Sequence, residues 1–253
     1  MNGTIISVQN LVKKYDNFTA VDNLNFEVHT GEIFGLLGPN GAGKTTTLEI
    51  IETLRPKNSG KIIVDGLDID SKAREIKKII GVQLQAAGYY PNLNLLEIIR
   101  LFAGLYNRHV EPLELLDLVN LRDKAKAKYK NLSGGQKQRF SIATTLINEP
   151  KIIFLDEPTT GLDPQARRNL WELIRKVRDR GATIVITTHY MDEAEELCDR
   201  VAIMDAGKII ALDTPDKLID KLVAGGFTRP KPVKEANLED VFLNLTGKEL
   251  RED

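Results

Sequence analysis

Three glycines, a lysine and a threonine crowd into one octapeptide, Gly38-Pro39-Asn40-Gly41-Ala42-Gly43-Lys44-Thr45. The spacing fits G-x-x-x-x-G-K-[ST], a pattern built to hold phosphate. Glycines let successive backbone N–H groups converge on phosphate oxygens at a helix N-terminus. Lys44 brings a point charge to the β- and γ-phosphates, and Thr45 a hydroxyl to a divalent cation. Further on, the apolar run Ile152-Ile153-Phe154-Leu155 ends in Asp156-Glu157. An unpaired carboxylate at the end of a buried strand is costly. A metal-linked role compensates at Asp156, through Thr45 or water. Glu157 falls on the other side of the strand and is placed to polarise an attacking water, unless it only caps ahead of Pro158. Between these groups stands Leu132-Ser133-Gly134-Gly135-Gln136, with Ser133 as a natural N-cap and two glycines exposing N–H groups to an anion. Alone it reads as an ordinary capped helix start. Its place between the phosphate loop and Asp156-Glu157 argues for a second anion-binding turn.

These groups act only if the chain presents them at the ends of elements. Residues 32–37 read as a buried strand running into the glycine loop, and 44–54 have helical spacing. Strand, glycine loop, helix is the context the phosphate pattern requires. Ahead of it, short β-rich stretches at 5–8 and 21–28 are separated by polar turns. Strands follow at 61–64 and 79–84, with a basic helix between them. From 86 to 129 the β signal fades, and helices at 95–106 and 111–119 are broken by Pro91 and Pro112. Alternation then returns: helix 134–148, strand 151–155, helix 164–178, strand 182–188, helix 191–198, and short strands at 201–204 and 208–212. Repeated βα units predict a mostly parallel sheet with helices on both faces. The tail holds a Gly/Pro/Lys-rich linker, 225–234, and a short amphipathic segment, 238–245.

Composition narrows the function. A length of 253 residues suits one large domain, or one domain with a subdomain. The net charge is −1, from 35 basic and 36 acidic residues, so no global basic field argues for nucleic acid. The single cysteine, Cys198, excludes an intrachain disulfide framework and thiolate metal clusters. The N-terminus lacks the pattern of a signal peptide, and no apolar stretch approaches the ~18 residues of a membrane span. A soluble chain is expected, with any membrane role supplied by a separate partner.

Over nearly all of residues 4–245 these motifs resemble the ATP-binding subunits of ABC transporters. The 132–136 pentapeptide matches the family signature, 38–45 matches Walker A, with Thr46 following, and 152–157 matches Walker B. The resemblance implies an α/β fold: a P-loop NTPase (RecA-like) core with an N-terminal antiparallel β subdomain and an inserted helical subdomain at about 86–148. The ATPase domain would span 1–225, with linker and amphipathic segment at 226–253. Further roles follow by resemblance alone. Tyr15 looks like the aromatic that stacks on adenine, although by itself it reads equally as a half-buried strand-end tyrosine. Gln85 resembles the glutamine that reaches Mg²⁺ and water; its rival Gln83 points the other way on an alternating strand. Asp163, in Gly161-Leu162-Asp163, resembles the residue that contacts the opposite subunit, and His189 the histidine that touches the γ-phosphate.

The implied mechanism is hydrolysis of ATP with Mg²⁺ in a dimer. Lys44 would neutralise phosphate, Glu157 orient water, and Gln85 and His189 sense the γ-phosphate. Ser133, Gly134, Gly135 and Gln136 of one chain would close the site of the other. An integral membrane permease at the cytoplasmic face would receive the work. Tyr89, Tyr90 and Leu93 are candidates for its docking groove, with ordinary core packing as the equal alternative. Residues 81–85 and 187–195 look most like the drug- or lipid-exporting branch with separate membrane subunits. The alternative is a related ATPase driving a membrane-tethered complex that is not a transporter. Long coiled coils of the DNA-repair type are excluded, since no sustained heptads occur.

Overall fold

The computed structural model describes residues 3–83 and 88–228; Gln85, the end of the linker and the amphipathic segment lie outside them. In chain order the strands are β1 (Thr4–Tyr15), β2 (Phe18–His29), β3 (Ile33–Leu37), β4 (Ser59–Val64), β5 (Leu67–Asp68), β6 (Ile80–Gln83), β7 (Ile152–Asp156), β8 (Thr183–Thr188), β9 (Arg200–Asp205) and β10 (Lys208–Asp213). The helices are α1 (Lys44–Ile51), α2 (Ala73–Ile79), α3 (Leu95–Leu105), α4 (Pro112–Leu118), α5 (Gly134–Thr145), α6 (Pro164–Asp179), α7 (Met191–Leu197) and α8 (Pro215–Ala224).

Two sheets form. The first has the order β2-β1-β4-β5 and is antiparallel. Its leading strands are 12 residues each, far longer than the stretches expected at 5–8 and 21–28. Register shifts such as that between Val8 and Leu11 let the hairpin bend without breaking the pairing. They also interrupt the alternation, which hid the full length from the sequence. The second sheet has the order β10-β9-β3-β8-β7-β6, parallel except for β10.

Strands β3, β7 and β8 are buried along their whole length, as expected when both faces of a parallel sheet are covered. Alternate residues part to two cores. Ile33, Leu37, Ile153, Leu155, Ile184 and Ile186 pack with Phe140 of α5 and Leu170, Trp171 and Ile174 of α6. Phe34, Leu36, Ile152, Phe154 and Val185 pack instead with Leu48 and Ile51 of α1 and with the first sheet. Each such side chain contributes about 1.5–3 kcal/mol on burial. Stiff anchoring on both faces fixes the strand ends. Pairing of Leu37 with Thr188 and of Asp156 with Thr187 brings the C-terminal ends of β3, β7 and β8 to one edge, where ligands of open α/β sheets bind.

Between β6 and β7 the chain builds α3, α4 and α5. An Asn94–Glu97 capping box starts α3, and Pro112 takes the first turn of α4. Tyr89 belongs to the packed interior of this region. Its ring centroid lies 4.5 Å from Tyr129 and 5.4 Å from Phe140, and its hydroxyl is 2.8 Å from Thr144 Oγ1. Tyr90 is 65% exposed. Of the docking candidates, Tyr90 alone presents a free aromatic face. An unanticipated helix, α8, begins after Thr214, whose Oγ1 accepts from Lys217 N at 3.3 Å. The chain divides into two units, Met1–Leu218 and Ile219–Asp253.

Candidate functional site

The glycine loop leaves β3 at Gly38, whose N–H donates to Thr188 O at 3.2 Å. Gly41 and Gly43 adopt φ of 81° and 96°, a region that costs other residues energy. A Cβ at Gly43 would also strike the Ala20 carbonyl. Helix α1 then starts at Lys44 with no side-chain cap and no acid in its first turn. Its positive end and free N–H groups remain available to an anion. The Lys44 side chain is buried, and Nζ donates to Gly38 O at 2.9 Å and Pro39 O at 3.1 Å. The loop thus wraps its own cation, while Pro39, Asn40 and Gly41 stay exposed and Ala42 is buried.

Thr45 Oγ1 lies 3.2 Å and 3.3 Å from the two oxygens of Asp156. Asp156 is buried, and the Thr187 hydroxyl also donates to it. A hydroxyl beside a buried carboxylate at the mouth of a phosphate loop is a hard-oxygen donor set that suits Mg²⁺. Thr46 is half-buried on the same turn. Glu52 joins this neighbourhood unannounced: burial, then Asp156 and Glu49, push its pKa up to about 8.

Glu157 departs from its expected place. Strand β7 ends at Asp156, so strand alternation does not decide where Glu157 points. Instead its backbone turns to φ 46°, and its N–H donates to Thr187 O at 3.2 Å and Thr187 Oγ1 at 3.0 Å. Strain of about 1–3 kcal/mol is typical of such a residue at a functional site. The turn aims Oε1 at Lys44 Nζ, 3.6 Å away, and at His189 Nδ1, 3.2 Å away. The angle leaves His189 Nδ1 without a hydrogen bond. The Thr160 hydroxyl donates to Oε2 at 3.3 Å.

Lys44, Thr45, Asp156, Glu157 and His189 therefore meet. Tyr15 is 36% exposed at the end of β1, with Lys13 Nζ 4.9 Å and the Arg55 guanidinium 5.6 Å from its ring centroid. Both cations stabilise the ring electrostatically. Ser133 caps α5 in a reciprocal box: Gln136 N donates to Ser133 Oγ at 3.4 Å and Ser133 N to Gln136 Oε1 at 3.0 Å. Gly135 has a packing reason as well, because a Cβ there would stand 3.1 Å from Ala166 of α6. Gly134 faces Leu162. Asp163 caps α6, accepting from Ala166 N at 2.8 Å. Among the described residues no hydrogen bond or ion pair joins Ser133, Gln136 or Asp163 to the Lys44–Asp156 cluster. Gln83 is buried and donates to Gln138 of α5 at 2.5 Å. The reading of the sequence missed Thr187, which donates to the Asp156 carboxylate and accepts from the Glu157 backbone N–H; its only signal was a threonine pair at the end of an apolar strand.

The ABC transporter family profile matches residues 21–160. The Nod factor export ATP-binding protein I of Cupriavidus metallidurans is 35% identical, aligned over 98% of this chain and 99% of that protein. A solved ATP binding subunit of an ABC transporter superposes with a TM-score of 0.76 at 29% identity, covering 96% of this chain and 100% of the other. A dimeric ATP-binding cassette in a post-hydrolysis state, bound to ADP and Pi, gives 0.75 at 28% identity, covering 83% and 98%.

Proposed function

This chain belongs to the ABC transporter family, and on that premise we propose that it binds and hydrolyses ATP as a dimer driving export through a separate membrane subunit. The observation that carries the reading is the position of Glu157, held between Lys44 and His189 one residue after the acid that meets Thr45. Phosphoryl transfer needs positioning and charge stabilisation more than covalent help. The N–H groups of 38–45 and Lys44 hold the phosphates, and Tyr15 stacks on the base. Thr45 and Asp156 would hold Mg²⁺, with Gln85; the ion's charge neutralises the β- and γ-phosphates when bound. Glu157 orients and polarises the attacking water, and His189 faces the γ-phosphate.

Ser133, Gly134, Gly135, Gln136 and Asp163 start two adjacent helices, apart from the chain's own phosphate loop. In this proposal they complete the site of a second copy, so that ATP joins the dimer and hydrolysis releases it. Export is supported by the relative that carries that name. No helix among the described residues is long and apolar enough to cross a membrane; in this proposal the membrane subunit supplies the span and this chain works at its cytoplasmic face. Glu157→Gln tests the core of the reading: hydrolysis should fall about 10²-fold or more while ATP affinity stays. Size-exclusion chromatography should then show a dimer that appears only with ATP. A variant that remains monomeric in saturating ATP would refute the shared site.

A further inference from the structure

One acid stands outside the chemistry described so far. Glu193, in the first turn of α7, is 0% exposed, a rare setting for a carboxyl group. Its Oε1 accepts from Trp171 Nε1 of α6 at 3.0 Å. Its Oε2 has no hydrogen-bond partner, and neither has the fully buried hydroxyl of Thr159. Burial raises the Glu193 pKa, against smaller opposing effects of the bonded Trp171, of the nearby Thr188 and Thr159 side chains, and of Arg167. Unpaired buried polar atoms are few in folded proteins and call for a reason.

The surroundings supply one. Thr159 follows Glu157 in the same turn, and Thr160 beside it bonds the Glu157 carboxylate. Trp171 lies on α6, the helix capped by Asp163. Thr188 immediately precedes His189, and its Oγ1 accepts from Tyr190 N at 3.0 Å. Outside this cluster the same elements are clamped again, with Arg167 of α6 bonded to Asp192 at 2.9 Å and its guanidinium 4.6 Å from the Tyr190 ring centroid.

We propose that Glu193 is a positioning residue: a buried acid that, bonded to Trp171 in the middle of α6, keeps that helix, the Glu157 turn and the His189 turn in one arrangement. It touches no reacting atom. Through it, the water-orienting carboxylate and the histidine shift together, and Oε2 and the Thr159 hydroxyl are free to pair when the turns close on nucleotide. The inference rests on the ATPase reading above.

The test uses the full chain, with ATP hydrolysis and tryptophan fluorescence, since Trp171 is the only tryptophan. Glu193→Gln keeps an acceptor for Trp171 and offers a polar amide group on the other side, so kcat should stay within about twofold of wild type. Glu193→Leu keeps the volume but neither the acceptor for Trp171 nor the second oxygen that could pair. It should lower kcat by about 10- to 100-fold, as misplacement of catalytic groups does, with KM for ATP nearly unchanged. ATP should shift Trp171 emission in the wild type and not in the Leu variant. A Leu variant with wild-type kcat, a Gln variant as slow as Leu, or emission blind to ATP in the wild type overturns the proposal. Should Glu193→Leu fail to fold, Trp171→Phe reads the same bond: kcat should fall by about two- to tenfold, and an unchanged kcat overturns the role. A wild-type chain that hydrolyses no ATP sinks the ATPase reading itself, a result distinct from any of these.

Discussion

Glu52, near the C-terminal end of α1, is almost fully buried, and burial with nearby Asp156 pushes its pKa from an ordinary 4.5 to about 8. The unfolded chain loses this proton first as pH rises, while the folded chain keeps it. The stability that Glu52 contributes is therefore complete below pH 4.5 and is lost as pH climbs through about 8. Glu52→Gln, neutral at every pH, should melt higher than wild type at pH 8, by about 2–4 °C for each kcal/mol removed. The gap should close toward pH 5; parallel melting curves across that range would contradict the buried neutral acid. A neutral Glu52 also spares Asp156 a neighbouring like charge. No motif marks Glu52. It follows a regular apolar pattern in α1, and only the tertiary approach of Asp156 makes it unusual. By contrast, Lys44, Thr45, Asp156 and Glu157 stood out by their spacing along the chain, and the fold brings them together.

Helix α5 combines two demands at its first turn. Ser133 and Gln136 satisfy each other's backbone N–H groups, and Gly135 admits Ala166 of α6. The same turn is proposed to meet a second chain. Thermal melting without nucleotide separates the demands. Loss of the cap in Ser133→Ala should cost about 1 kcal/mol, a lower Tm by about 2–4 °C. An unchanged Tm would mean that Ser133 serves only a partner. Behind the turn, Tyr89 packs on Tyr129 and Phe140, and burial, with Tyr89 alongside, pushes the Tyr129 pKa up to about 12. The helical insert was readable from its 3.6-residue period. Which of its aromatics turn inward was not, since Tyr89 and Tyr90 are adjacent and of one type.

The whole assembly is proposed to hold two sites, each built from both chains. Mixing distinguishes this from two independent sites. Lys44→Ala should bind ATP poorly, and Ser133→Arg should block the turn that faces the partner. Alone, each variant spoils both sites of its dimer. A mixed dimer keeps one intact site: the phosphate loop of the Ser133→Arg chain with the turn of the Lys44→Ala chain. Mixed samples should hydrolyse ATP faster than the sum of the two variants measured apart. A merely additive rate would mean that each chain completes its own site.

The glycine loop, the acid pair, the intervening turn and the alternation of strand and helix could all be read along the chain. Each of these is local, written in spacing or in periodicity, and needs no partner from elsewhere in the chain. Spacing alone set neither the direction of Glu157 nor the pairings of Thr187 and Glu193. Those depend on the register of β7 against β8 and on α6 packing beside α7, contacts between segments roughly 20–30 residues apart. Only the folded sheet, anchored on both faces, brings these side chains within hydrogen-bonding reach.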